Sequence, residues 1–211
     1  MKIGISLFTF LLLSLPLFGQ RPPDSFRVLC FSDGPNTRVQ LKVRHGSYTL
    51  RGYTPDSVFT KSFDSTDVHP TYNFDGELRF NLASCDSIVL STRDTFVMRA
   101  RKDAGAWTEE RYYTGDLTLV NGLLFVEAIV NIPLKEYLNG VVEAEGGSSP
   151  DIEYHKAQAV LARTWLYSNF GKHIQDGYHI KDDESSQAFK GIAHGRNAQV
   201  IARAVNGIGD T

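Results

Sequence analysis

The sequence predicts an α+β fold, β-rich first and helical second, and two observations carry that prediction. Between about residues 26 and 130, short apolar or alternating runs are broken by turn signals such as Asp75-Gly76 and Asn121-Gly122. From residue 132 onward the apolar residues shift from alternation to helical spacing. Strands followed by helices in separate blocks give the α+β class.

In order, residues 26–31 (FRVLCF) form a first strand, closed by the turn cluster at 32–36 (SDGPN). Residues 39–43 alternate, and His45-Gly46-Ser47 is expected to fold them back on 48–51 as a hairpin. Asp75-Gly76 joins a strand bearing Tyr72 and Phe74 to one bearing Leu78 and Phe80. Residues 87–91 and 95–100 read as further strands. Residues 112–120 and 123–130 flank Asn121-Gly122, the strongest hairpin signal in the chain. There is no internal repeat of fixed period and no low-complexity tract.

The first helix opens near Pro133, where a missing N–H costs nothing. Leu134, Tyr137, Leu138, Val141 and Val142 then line one apolar face. The next position on that stripe is Glu145. A carboxylate there either sits at the rim of a cleft or carries a raised pKa from desolvation. Gly146-Gly147 ends the helix, and Ser149 and Pro150 are expected to cap and open the next one. That second helix, about residues 150–170, places Tyr154, Ala157, Leu161 and Trp165 on one face. Ala159, Ala162 and Leu166 cover much of the rest, so burial on more than one side is expected. Residues 173–190 form a polar loop, and a last helix covers about 198–205.

Residues 1–20 carry an early Lys2, an apolar run and a small residue, Gly19, the pattern of a secretory signal peptide. The run is shorter than the roughly 20 apolar residues of a membrane anchor, so export to the periplasm or cell-wall space without a lasting anchor is expected. Residues 21–111 and 112–211 then form the β-rich region and the core. With 22 basic and 24 acidic side chains and no basic run, electrostatic capture of nucleic acid is not supported. A near-neutral, Tyr-rich chain suits an uncharged polymer such as a glycan. Cys30 and Cys85 are compatible either with a disulfide in an oxidising compartment or with two buried thiols.

Several ordered motifs resemble the SpoIID/LytB family of exported cell-wall proteins. Tyr113-Thr114-Gly115 followed by residues 130–138 (VNIPLKEYL) is similar to the family's "YrG … vN.lplEeYl". Residues 140–145 (GVVEAE) resemble "GVv..Em", and Lys156-Ala157-Gln158-Ala159 with Ala162-Arg163-Thr164 resembles "lKAQAvaaRTya". Residues 186–191 (SQAFKG) and 204–207 (AVNG) match the later motifs. The resemblance implies peptidoglycan work: a lytic transglycosylase cutting glycan strands, or alternatively a non-catalytic module that stimulates a cell-wall amidase. It also implies that Glu145 is the catalytic residue. Gly146 stands where the family has Met, and Lys181 and Ser186 stand where some members carry a zinc-binding Cys pair, so no metal and no cofactor is expected. The family continues past the last motif, so a C-terminally shortened core is expected.

The residues themselves agree on Glu145. Glycosidic cleavage needs a proton donor at the leaving oxygen, and a carboxyl serves near neutral pH when its pKa is raised. Ordinary glycosidases add a second carboxylate. A transglycosylase can use one, because the sugar's own 6-hydroxyl attacks. Glu143 is a poor partner, since positions i and i+2 face apart on a helix. Asp151 and Glu153 suit the N-terminus of the second helix. Gln158 and Arg163 are candidates to orient Glu145 or hold substrate, with bonding to loop carbonyls as the structural alternative. Tyr178, Gln187 and Phe189 are candidate sugar contacts, aromatic faces for stacking and an amide for hydroxyls. His173, His179, Asp182 and Asp183 match no strong zinc spacing.

Overall fold

The computed structural model describes residues 23–80, 83–122, 124–147 and 149–209; the expected signal segment lies outside them. The strands are β1 (Ser25–Cys30), β2 (Arg38–Val43), β3 (Ser47–Tyr53), β4 (Val58–Asp64), β5 (His69–Phe74), β6 (Glu77–Phe80) and β7 (Ala83–Cys85). They continue as β8 (Ser87–Leu90), β9 (Phe96–Arg101), β10 (Arg111–Tyr113), β11 (Asp116–Asn121), β12 (Val126–Pro133) and β13 (Ile180–Lys181). The helices are α1 (Leu134–Gly146), α2 (Ile152–Asn169) and α3 (Ala198–Gly207). The fold is therefore α+β, as the sequence predicts.

One sheet runs β13-β1-β12-β11-β8-β3-β4 and the other β10-β9-β2-β5-β6-β7. Alternation along the longer inner strands turns one row inward, for example Val39, Leu41 and Val43 on β2 and Val126, Ala128, Val130 and Ile132 on β12. These rows join the inner faces of α1, α2 and α3 in a single apolar core. A smaller cluster of Leu29, Ile129 and Tyr178 lies apart from it.

The Asp75-Gly76 hairpin forms, pairing Phe74 with Glu77. The β11–β12 hairpin also forms, but its end pair is Asn121 with Val126, so the loop is longer than the dipeptide. The expected hairpin between residues 39–43 and 48–51 does not form. β2 pairs with β5 and β9, whereas β3 pairs with β4 and β8 in the other sheet. The turn signal marked where the chain reverses, not which sheet it enters. The two thiols are free: Cys30 and Cys85 are both buried on strands of different sheets.

The α1 stripe buries Tyr137, Leu138, Val141 and Val142 as expected. On α2 the buried face is His155, Ala159, Ala162 and Leu166, while Tyr154, Ala157 and Leu161 are exposed. The small residues pack because α1 and α3 both lie close against this side. Asp151, rather than Ser149, is the N-cap, and its carboxylate accepts the Glu153 N–H at 2.9 Å. Among the described residues, no helix is long and apolar enough to cross a membrane.

Candidate active site

Glu145 occupies the last turn of α1, just before the break at Gly147, whose φ of 64° favours glycine. Its position on the apolar stripe puts it where the stripe runs out of core, and it is exposed at a rim. Two donors hold its carboxylate. Gln158 Nε2 donates to Oε2 at 3.0 Å, and the Ala188 N–H donates to Oε1 at 3.2 Å. Glu143, two residues earlier, faces elsewhere and accepts the N–H groups of His194 and Gly195 at 3.2 and 2.9 Å.

The Ala188 donor is supplied by a segment clamped onto α1 and α2. Buried Gln187 accepts from the Tyr137 hydroxyl at 3.1 Å and donates to the Ala162 carbonyl at 3.3 Å. Burial, and next the Glu145 charge, pushes the Tyr137 phenol well above its ordinary pKa, so it stays a donor. Gly140 allows this close approach: a Cβ there would lie 2.1 Å from the Gly191 carbonyl and 2.5 Å from the Phe189 ring. Behind the corner, the Ser149 carbonyl accepts from both His155 Nε2 at 2.7 Å and Asn197 Nδ2 at 2.9 Å. That requires the Nε2–H tautomer of His155. The His155 ring lies beside buried Gly146, the position where the family motif has Met.

Glu145 heads an open groove of about 470 Å³ along α2, lined by Gln158, Leu161, Thr164, Trp165, Ser168, Asn169, Ser186 and Gln187. Gln158 to Asn169 spans about 16 Å at the helical rise. Among the described residues, Glu145 is the one charged side chain in the lining. Thr164, Ser168 and Asn169 each donate to a backbone carbonyl one turn back. Their oxygens are thereby left as acceptors. Leu161, 64 % exposed, and partly buried Trp165 supply apolar faces beside that row.

Of the residues singled out from sequence, Glu145, Gln158 and Gln187 therefore meet at one site. Arg163 does not join them: its guanidinium donates to the Gly209 carbonyl, tying α2 to the end of α3. Phe189 is wholly buried between Tyr113 and Tyr137 and packs the core, so its face is not offered to a ligand. Tyr178 is buried against Leu29 and Ile129 and lines a different cavity. His173 is engaged with Asp176 and His179 with the Arg27 N–H, while Asp182 and Asp183 share Ser32 Oγ and Asp182 also pairs with Arg111. The groove residues Leu161, Trp165, Ser168 and Asn169 were not anticipated. The signal was available, because positions 158, 161, 165 and 168 share one helical face.

Residues 125–208 match the family model described as stage II sporulation protein, SpoIID. That stretch is similar to the SpoIID family. The matched span runs from just before β12 through the end of α3 and contains Glu145, Gln158 and the clamping segment. The match falls on most of the motifs that carry the resemblance to exported cell-wall proteins. No curated protein and no solved structure matches it.

Proposed function

We propose that the chain is an exported lytic transglycosylase acting on peptidoglycan glycan strands, with Glu145 as acid and then base. The observation that carries this reading is a single carboxylate at the head of an otherwise uncharged groove. Among the described residues a second carboxylate, as in hydrolases that activate water or form a glycosyl-enzyme, is not offered in the groove, and both Glu143 oxygens face His194 and Gly195. One carboxyl suffices if the nucleophile belongs to the sugar.

In this reaction protonated Glu145 gives its proton to the glycosidic oxygen as the C1–O bond breaks. The 6-hydroxyl oxygen of the same sugar adds to C1, and its proton passes to the Glu145 carboxylate. The products are an anhydro-sugar end and a free 4-hydroxyl, and no water is consumed. Gln158 and the Ala188 N–H hold the carboxylate in place for both transfers. Sugar rings lying on Trp165 and Leu161 would exclude water from Glu145. The acceptor row of Thr164, Ser168 and Asn169 suits sugar hydroxyl and acetamido N–H donors.

The test is incubation of the protein with peptide-free glycan strands and mass spectrometry of the products. Anhydro-muramyl ends are expected from the wild type and not from Glu145→Gln. Identical product profiles for the two would sink the proposal. Strand binding without any anhydro ends would instead support the non-catalytic reading, a docking module that stimulates an amidase.

A further inference from the structure

The last turn of α1 runs against its own electrostatics. It carries two carboxylates, Glu143 and Glu145, and no basic side chain, at the end where the helix macrodipole is negative. Gly146 and Gly147 follow directly. Such an end frays unless outside donors meet its charges.

Three of those donors come from one segment, residues 187–195. Two residues apart on a helix, the carboxylates point about 200° apart, and the segment reaches both flanks. The Ala188 N–H meets Glu145 at 3.2 Å, and the His194 and Gly195 N–H groups meet the two oxygens of Glu143 at 3.2 and 2.9 Å. Glu143 keeps 26 % side-chain exposure, so its bonds are better shielded than those of exposed Glu145.

Between these two grips the segment is fixed by groups outside the turn. Phe189 is wholly buried, and its N–H donates to the Asp182 carbonyl at 3.2 Å. The Ile192 N–H donates to the Tyr112 carbonyl at 2.8 Å. Gly191, at a φ of 97°, passes so close to Tyr112 that a Cβ would run into that carbonyl. The His194 ring packs on Tyr112 with centroids 4.7 Å apart. A fixed bar bonded to one flank of a helical turn sets the position of a single long side chain. Bonded to both flanks, it sets the orientation of the turn.

We propose that Glu143 is a positioning residue for Glu145. It fastens the last turn of α1 to the 187–195 segment and so keeps the acid against its donors, the Ala188 N–H and Gln158. The positional claim stands without glycan cleavage, whereas its effect on rate rests on the transglycosylase reading.

Amide-proton exchange of the full chain followed by NMR, together with the kinetics of anhydro-end formation on peptide-free strands, tests the assignment. Glu143→Gln keeps the side-chain volume and removes the charge and one of its two acceptors. It is expected to speed exchange of the Ala188 amide roughly tenfold, the size of one charge-assisted hydrogen bond. The same variant should lower kcat by roughly tenfold with KM within about twofold, since substrate contacts are untouched. Glu143→Asp, the same charge on a shorter arm, should recover part of both. Glu136→Gln, which removes a charge from the first turn of α1, should change neither. Thermal melts establish that the variants are folded, and if Glu143→Gln does not fold, Glu143→Asp carries the comparison with wild type. Unchanged Ala188 exchange in a folded Glu143 variant, or equal losses in Glu136→Gln, would overturn the proposal. A wild type that forms no anhydro ends would sink the transglycosylase reading instead and leave the exchange data to decide the role of Glu143.

Discussion

Replacing Asp182 by Ala should destabilise the whole chain and do so through one buried carboxylate. That side chain is 3 % exposed and accepts from the N–H groups of Phe31 and Ser32 at 2.5 and 2.9 Å, from Ser32 Oγ at 2.6 Å and from Arg111 at 2.7 Å. Phe31 adopts a φ of 58°, an uncommon conformation for a residue with a side chain, and the carboxylate holds the N–H groups on either side of that bend. Arg111 lies 4.4 Å over the Phe31 ring and retains 20 % side-chain exposure. Removing one partner of a buried ion pair costs about 3–5 kcal/mol. The remaining solvent access of Arg111 places the expected loss near the lower end, about 3 kcal/mol. Urea unfolding of Asp182→Ala, Arg111→Met and the double variant measures it. The double variant should lose less than the sum of the singles by at least about 1 kcal/mol, since the two groups share one interaction. A loss below about 1 kcal/mol for Asp182→Ala, well short of what a broken buried pair costs, would refute this account of the loop.

Gln158→Ala removes one of the two donors on Glu145. Its partly solvated site puts the effect at the low end for a charged hydrogen bond, about 1.5 kcal/mol or tenfold in cleavage rate, with strand binding little changed. A rate within twofold of wild type would show that Ala188 alone positions the acid. His69 is pushed down to about 4 by burial, and secondarily by Lys61, among the rings of Phe63 and Phe80. Its folded value lies below the unfolded value of about 6.5, so the unfolded chain binds the proton first. Stability is then complete above about pH 6.5 and falls as pH drops toward 4, by at most roughly 3 kcal/mol. Chemical denaturation from pH 7 to 4 should show that slope reduced in His69→Leu, and an equal slope in both proteins would contradict it.

The legible parts of this chain were those governed by local chemistry. The α1 stripe and its interruption at Glu145 follow from helical spacing alone, and Asp75-Gly76 formed the turn its residues favour. What failed was decided by distant segments. Tyr154, Ala157, Leu161 and Trp165 were a plausible apolar face of α2, yet the small face of Ala159 and Ala162 is the one that lets α1 and α3 approach. Phe189 and Tyr178 sit in a polar stretch, and nothing within it announces that each fills a hydrophobic gap. β13 pairs with β1 across some 150 residues of chain, an alignment no local pattern encodes. Gln187 was picked for an amide that could meet a sugar, and that amide is already spent on Tyr137 and Ala162.

The donor from Ala188 to Glu145 is a main-chain N–H, offered by whatever residue stands there. The identity of position 188 is therefore nearly invisible to the site, and its side chain is free to drift in related sequences. Proline alone is forbidden, because it lacks the hydrogen. A comparison of sequences would then undervalue this position, although the acid depends on it as directly as on Gln158.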